Sequence, residues 1–365
     1  MKKDPTPPQE AEESSQAGMK EIAQRVGVSK TTVHRALTGS GRISQATRDR
    51  ILAVAEELDY TPNILARSLR RQRTGTIGVI TNAVSNSYYG EVLSGIEEVA
   101  SNQGFNILFC CSSGSSELES NHINVLREKR VDGLIIAPAL PMGQTDHFTR
   151  LRRADTPFVF IDRMVPSVSA DVVMTDHRMA GQMVAEHLIA GGRNKIGIIA
   201  PLVDENLSTS VQERIAGIED IARTHKGVSV VRIGRESGWE PWEEFGAFCL
   251  ADYLDQGGDV DAVVGLNDNA ALGALFTCQQ RGISVPEKLA IAGYDDLDIS
   301  SFVNPRLTTV RQPIRQLAWE AVKLLLSKMG GNKLDEAVTL RLRPTLMERE
   351  STPKVEHSLE PEEKQ

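Results

Sequence analysis

Cysteine is scarce in this chain of 365 residues, four in all, and the four build no framework. Cys110 and Cys111 are adjacent in a run that reads as a buried strand, while Cys249 and Cys278 fall on helical patterns. Neither a zinc-ligand spacing nor a paired half-cystine pattern is present, which points to reduced core thiols. Long apolar runs are missing too. None approaches the ~20 residues of a membrane span, and the N-terminus has no apolar signal segment. The expectation is a cytoplasmic protein, free or on the nucleoid, without a membrane partner. The turn after the first predicted strand, Asn82-Ala-Val-Ser-Asn-Ser87, carries no glycine-rich phosphate loop. With no Walker sequence and no nucleophile elbow either, no enzymatic activity, cofactor or metal ion is expected.

What is present is ordinary for a globular protein, 40% hydrophobic and 25% charged residues. The length allows two or three domains with substantial cores. The net charge of −8 hides an asymmetry. Residues 19–75 carry 11 Lys and Arg against 5 Asp and Glu, a charge of +6, whereas residues 76–350 carry −10 and the tails 1–18 and 351–365 carry −2 each. A basic first domain on an acidic body confines any nucleic-acid footprint to that first domain.

Within it, Val28-Ser-Lys-Thr-Thr-Val-His-Arg-Ala-Leu-Thr38 reads as a short helix. Ser29 is a good N-cap, and Val33 and Leu37, four apart, share one face. Lys30, Thr31, His34 and Arg35 are left on the other, with donors able to reach base edges or phosphates. Upstream, Lys20 to Val26 forms a second helix with Ile22, Ala23 and Val26 inward, and Gly27 makes the turn. These residues alone fit a DNA-reading helix-turn-helix and an amphipathic hairpin equally well. Ser44 opens a third helix to about Asp59, in which Ile51, Leu52, Ala55 and Leu58 close a three-helix core. Tyr60-Thr-Pro-Asn63 ends it. The segment Ile64 to Arg73 that follows has four arginines and no core of its own. It is either a basic linker or a helix that DNA stabilises, with Leu69 as a minor-groove wedge.

The text Lys20-Glu-Ile-Ala23, Val26-Gly-Val-Ser29, Thr32-Val33, Arg35-Ala-Leu37, Tyr60-Thr-Pro-Asn63 and Ala66 with Leu69 resembles the LacI/GalR family of bacterial transcription regulators. The resemblance implies a helix-turn-helix headpiece over 19–60 and a hinge helix within 61–75. It implies DNA contacts from Ser29, Lys30, Thr31, Thr32, His34, Arg35, Asn63, Ala66 and the intercalating Leu69, with Lys30 and Thr31 discriminating the operator. His34 and Thr38 depart from the family's usual Ser and Asn.

From Thr76 the chain alternates short apolar strands with amphipathic helices, the βαβ rhythm of a parallel, doubly wound sheet, and after Asp176 the rhythm repeats. Two such units in tandem make two lobes with a ligand cleft beyond the strand C-termini. Asn86-Ser-Tyr-Tyr89, Val131-Asp-Gly-Leu-Ile135, Phe160-Ile-Asp-Arg163, Asn267-Asp268 and Gly293-Tyr-Asp-Asp296 extend the resemblance over roughly residues 19–350. The fold class expected is α/β: the headpiece and hinge helix, then a two-lobed, periplasmic-binding-protein-like core over 76–350. The expected first lobe is 76–175 with 304–333, and the second 176–303 with 334–350. The leader 1–18 and the acidic tail 351–365 are expected to be disordered.

Polar residues fall just after strands or at helix starts. Tyr88 and Tyr89 follow the first strand, Asp162 and Arg163 the fourth, Asn267 a second-lobe strand and Asp295 the last, while Arg214 opens a helix. Carboxylates, amides and guanidinium groups around aromatic rings suit a polyhydroxylated ligand, because each buried hydroxyl must be paired. By resemblance, Arg214, Asn267 and Asp295 fall on effector-binding positions, with Tyr89 and Asp162 lining the pocket; Tyr88 and Arg163 join them by their place after the strands. Trp239 and Trp242 either stack on a sugar face or pack where the next helix begins. The function expected is a repressor acting as a homodimer on a palindromic double-stranded operator, controlled by a sugar or sugar acid. A nucleoside or phosphorylated effector is the alternative. A solute-binding protein shares the lobes but predicts a secretion signal and no headpiece.

Overall fold

The computed structural model describes residues 18–60, 73–83, 87–139, 145–203, 207–236, 241–331 and 336–355. Residues 1–17 of the leader, Asn63, Ala66 and Leu69 of the expected hinge helix, and Trp239 lie outside the described residues, while Gly18, expected in the disordered leader, is helical. The chain divides into two compact units, Met1–Gly75 and Thr76–Gln365.

In the first unit, α1 (residues 18–26), α2 (Lys30–Leu37) and α3 (Gln45–Glu57) enclose Ile22, Ala23, Val26, Val33, Ala36, Ile51 and Ala55. Gly27 takes φ +78°, a left-handed turn that a side chain would strain. Ser29 accepts the Thr32 amide at 3.1 Å, and Ser44 accepts the Thr47 amide at 3.3 Å, so both predicted N-caps form. Leu52, expected in the core stripe, is 45% exposed. The core of three short helices is filled by Ile51 and Ala55, one turn apart on α3.

The second unit holds two six-stranded sheets. The first lobe contains β1 (Thr76–Thr81), α4 (Ser87–Asn102), β2 (Asn106–Cys111), α5 (Ser116–Glu128), β3 (Gly133–Ile136), α6 (Asp146–Arg153), β4 (Phe158–Ile161) and β5 (Asp171–Thr175). The second contains α7 (His177–Ala190), β6 (Lys195–Ile199), α8 (Thr209–Thr224), β7 (Ser229–Ile233), α9 (Trp242–Asp255), β8 (Ala262–Gly265), α10 (Asp268–Arg281) and β9 (Ala290–Asp295). Then come β10 (Thr308–Arg311), α11 (Ile314–Met329), β11 (Thr339–Leu342) and β12 (Thr345–Met347), in sheet orders β11-β5-β4-β3-β1-β2 and β12-β10-β9-β8-β6-β7. The central strands β3 and β4 are buried throughout because helices cover both faces, and the edge strands β2 and β7 alternate with solvent.

Two expected boundaries are corrected. Residues 304–333 do not all belong to the first lobe, because β10 pairs in parallel with β9 and antiparallel with β12 in the second sheet. Residues 334–350 do not all belong to the second, because β11 pairs with β5 in the first sheet. The chain therefore crosses at Gln312-Pro313 and again at Arg343-Pro344, besides the crossing after Thr175. Residues 351–365 are not disordered throughout either. Ser351 and Thr352 are buried; the Ser351 hydroxyl accepts the Thr308 amide at 2.8 Å and donates to the Ile291 carbonyl at 2.6 Å.

Candidate functional site

In the headpiece, burying Val33 and Ala36 turns Ser29, Lys30, Thr31 and Arg35 outward, while Thr32 and His34 are half-buried. The Ser29 hydroxyl is engaged by the Thr32 amide and hydroxyl, so it holds the helix start. Lys30, Thr31 and Arg35 are the long or polar groups presented to solvent. α2 thus has one apolar face for its own core and one face of donors.

In the core, the parallel strands point their C-termini at the space between the lobes. The structure brings all seven predicted residues, Tyr88, Tyr89, Asp162, Arg163, Arg214, Asn267 and Asp295, to the walls of one cavity of about 430 Å³. Asp162, directly after β4, and Asp295, the last residue of β9, take φ +74° and +109°, backbone conformations that side chains rarely adopt. The folded lobes hold both carboxylates in place at that strain.

The first-lobe wall is a closed set of pairs. The Tyr88 and Tyr89 hydroxyls donate to Asp162 Oδ1 and Oδ2 at 3.2 and 3.0 Å. Arg163 donates to Asp162 Oδ2 at 2.7 Å and to the Tyr89 hydroxyl at 2.5 Å. Burial pushes the Asp162 carboxyl up, but Arg163 foremost, with Arg214 behind it, outweighs burial and holds it below its ordinary value. Burial pushes both tyrosines up, so they stay protonated donors.

On the second-lobe wall, Arg214 is 5% exposed and sits in the second turn of α8 instead of opening it. It donates to the Leu266 carbonyl at 2.6 Å and to His177 Nδ1 at 3.2 Å, and its guanidinium lies 4.1 Å from the centroid of the Tyr294 ring. Asp295 is 3.9 Å from Arg214 and accepts from Gln312 at 2.7 Å. Burial pushes its carboxyl up to about 7, further than Arg214 draws it down. Asn267 caps α10 through the Ala270 amide at 2.8 Å, so its carbonyl oxygen is committed, and the residue lines the cavity. Trp242 also lines the cavity and packs edge-on against Phe245, with centroids 5.5 Å apart.

Sequence reading missed Asn82, His177 and Gln312. Asn82 donates to the Tyr89 hydroxyl at 3.3 Å, and His177 Nε2 lies 3.1 Å from the Asp162 carbonyl. His177 and Gln312 stand where the chain crosses between lobes; the crossing beside His177 falls where the sequence places it, whereas the one at Gln312 does not. Asp268, the first residue of α10, is buried and accepts from Thr309, Ser300 and the Leu297 amide. Burial pushes it up to about 6. Among the described residues no cluster of His, Cys, Asp and Glu could hold a metal ion, and no helix is long and apolar enough to cross a membrane.

Residues 18–63 match the family model described as bacterial regulatory proteins, lacI family, and residues 185–352 match a periplasmic binding protein-like domain. The chain is 31% identical to the ribose operon repressor of Haemophilus influenzae over 340 residues, covering 92% of this chain and 98% of that protein. The solved lac repressor dimer bound to operator and the anti-inducer ONPF superposes with a TM-score of 0.78 at 26% identity, covering 90% of this chain and 97% of that one. A LacI family transcriptional regulator from Enterococcus faecium with bound ribose matches with a TM-score of 0.67 at 28% identity, over 76% of this chain and 99% of that one. Spanning the ribose operon repressor almost end to end, this chain belongs to the lacI family of bacterial regulatory proteins, DNA-binding transcription regulators with an effector-binding core.

Proposed function

We propose that the protein is a cytoplasmic, homodimeric repressor that binds a palindromic operator through α2 and releases or grips it according to a sugar or sugar acid held between the lobes. Lys30 and Thr31 discriminate operator sequence, Ser29, Thr32, His34 and Arg35 support the phosphate contacts, and Asn63, Ala66 and Leu69 act at the operator centre. Tyr88, Tyr89, Asp162, Arg163, Arg214, Asn267 and Asp295 contact the effector, and Trp242 offers a ring face. No catalytic step and no cofactor is involved.

One observation carries the sugar reading. The cavity of about 430 Å³ is walled by hydroxyls, amides, carboxylates and guanidinium groups already paired with one another. Such walls exchange hydrogen bonds with ligand hydroxyls without leaving a buried charge uncompensated. The same pairing disfavours a phosphorylated effector, since Arg163 is committed to Asp162 and Arg214 stands beside Asp295. The ribose-bound Enterococcus faecium relative points the same way. The DNA-binding headpiece disfavours a solute-binding role.

A thermal-shift screen against sugars, sugar acids, sugar phosphates and nucleosides tests this, because a ligand specific to the folded state raises its melting temperature. Sugars or sugar acids are expected to shift it. A shift from phosphorylated compounds or nucleosides alone would replace the effector class.

A further inference from the structure

Arg214 makes three contacts inside its own lobe, with Leu266, Tyr294 and Asp295. A fourth is to His177, which in turn reaches the first lobe. His177 is the first residue of α7, directly after the chain leaves β5, and it is fully buried. Its two nitrogens face opposite ways: Nε2 lies 3.1 Å from the backbone carbonyl of Asp162 in the first lobe, and Nδ1 lies 3.2 Å from Arg214 Nε in the second. A guanidinium Nε can only donate, so Nδ1 must be the acceptor and the proton must sit on Nε2, which then donates to the Asp162 carbonyl. One neutral tautomer satisfies every bond. Burial, with Arg214 adding to it, pushes the imidazole down to about 3, so the 4.0 Å approach to the Asp162 carboxylate is no ion pair.

We propose that His177 is a positioning residue that ties the Arg214 guanidinium to the Asp162 backbone, so that the orientation of Arg214 follows the relative position of the two lobes. This rests on the cleft being the effector site. The Asp162 carbonyl is a well-defined anchor, since the residue sits at φ +74° under two tyrosine hydroxyls and Arg163. A lobe movement that draws this carbonyl away from α7 frees the imidazole to rotate and removes the acceptor from Arg214 Nε. Conversely, a ligand that orients Arg214 favours the lobe arrangement in which both imidazole bonds form.

The test uses the full chain without ligand, read by NMR at the Arg214 Nε–H, identified by its loss in Arg214→Lys, and at the His177 ring nitrogens. The expected result is a single neutral tautomer protonated on Nε2 between about pH 5 and 8. His177→Asn retains an acceptor near Nδ1 and should leave the Arg214 Nε–H protected. His177→Gln retains a donor near Nε2 but not that acceptor, and should speed Nε–H exchange by about tenfold or more. A proton on Nδ1, or an Arg214 signal equally unmoved or equally lost in both variants, would overturn the proposal and reduce His177 to packing. Because no ligand is needed, a sugar screen that finds nothing would defeat the effector reading and leave this result standing or falling separately.

Discussion

Gln312 donates to Asp295 at 2.7 Å, and its carbonyl oxygen accepts from the Thr175 hydroxyl at 2.6 Å. Thr175 and Gln312 lie on two of the segments that join the lobes, so one amide fastens two crossings together beside a cleft carboxyl. The side chain is 3% exposed. Gln312→Leu keeps much of the volume but strands the Thr175 hydroxyl and an oxygen of Asp295, at a cost of about 1–3 kcal/mol. A urea titration of the purified protein should show a lower midpoint with an unchanged slope. An unchanged midpoint would mean that water replaces the amide.

Arg214→Ala should abolish the response to the effector and spare operator binding, because Arg214 belongs to the core and α2 to a separate compact unit. It also leaves the Leu266 carbonyl and His177 Nδ1 without their donor, so a loss of about 1–3 kcal/mol accompanies it. Ligand-induced melting shifts and operator titrations measured on the same preparation separate the two effects. A normal melting shift would remove Arg214 from the pocket.

The Asp295 carboxyl titrates near 7 when folded, against an ordinary 3.8, so the folded protein holds that proton more tightly than the unfolded chain does. Its stabilising contribution is complete below pH 3.8 and is lost as pH rises through about 7. His177 works in the opposite sense. Lowered from 6.5 to about 3, it contributes above 6.5 and loses that contribution as pH falls toward 3. Asp295→Asn isolates the first of these. The variant should gain stability relative to the parent as pH is raised from about 5 to about 8, and a constant difference would show that Asp295 is ionised throughout.

Lys30 and Thr31 are exposed on α2, opposite Val33 and Ala36. Substituting either should change which operator is preferred, measured by selection from a randomised pool. A uniform loss of affinity across sequences would make them phosphate contacts instead.

Truncation after Glu350 removes the Ser351 and Thr352 hydroxyls from Thr308, Ile291 and His187. It should destabilise the core by about 2 kcal/mol or more, several hydrogen bonds being lost together. Truncation after Val355 keeps both hydroxyls and is the reference. Equal melting temperatures for the two would show that the buried hydroxyls contribute nothing net.

Much of this molecule was legible in its sequence, for identifiable reasons. Ser29, Ser44 and Gly27 have local roles, set by the helix beside each, and so the headpiece could be read directly. β1, β3 and β4 are continuous apolar runs because both of their faces are covered, which gives them a strong linear signal. β5 and β11 gave a weaker one. β11 is a four-residue edge strand with alternating exposure, and its partner β5 lies more than a hundred residues away, so no periodicity records which sheet it joins. The same holds for the site. Asp162 follows a strand and Asp295 ends one, positions that announce a cleft, and Arg214 lies one turn into a helix that begins beside it. His177 and Gln312 are ordinary polar residues that become buried and paired only once the crossings come together.

The central claim is that occupancy of the cleft controls operator affinity. The direct measurement is a fluorescence-anisotropy titration of a selected operator with the full-length protein, with and without a saturating amount of the compound that raises its melting temperature. A change in operator affinity of about tenfold or more is predicted, lost in Arg214→Ala, since coupling free energies of this kind run to about 1–3 kcal/mol. An affinity unchanged by a ligand that demonstrably binds would contradict the account, because a ligand that binds both states equally shifts neither.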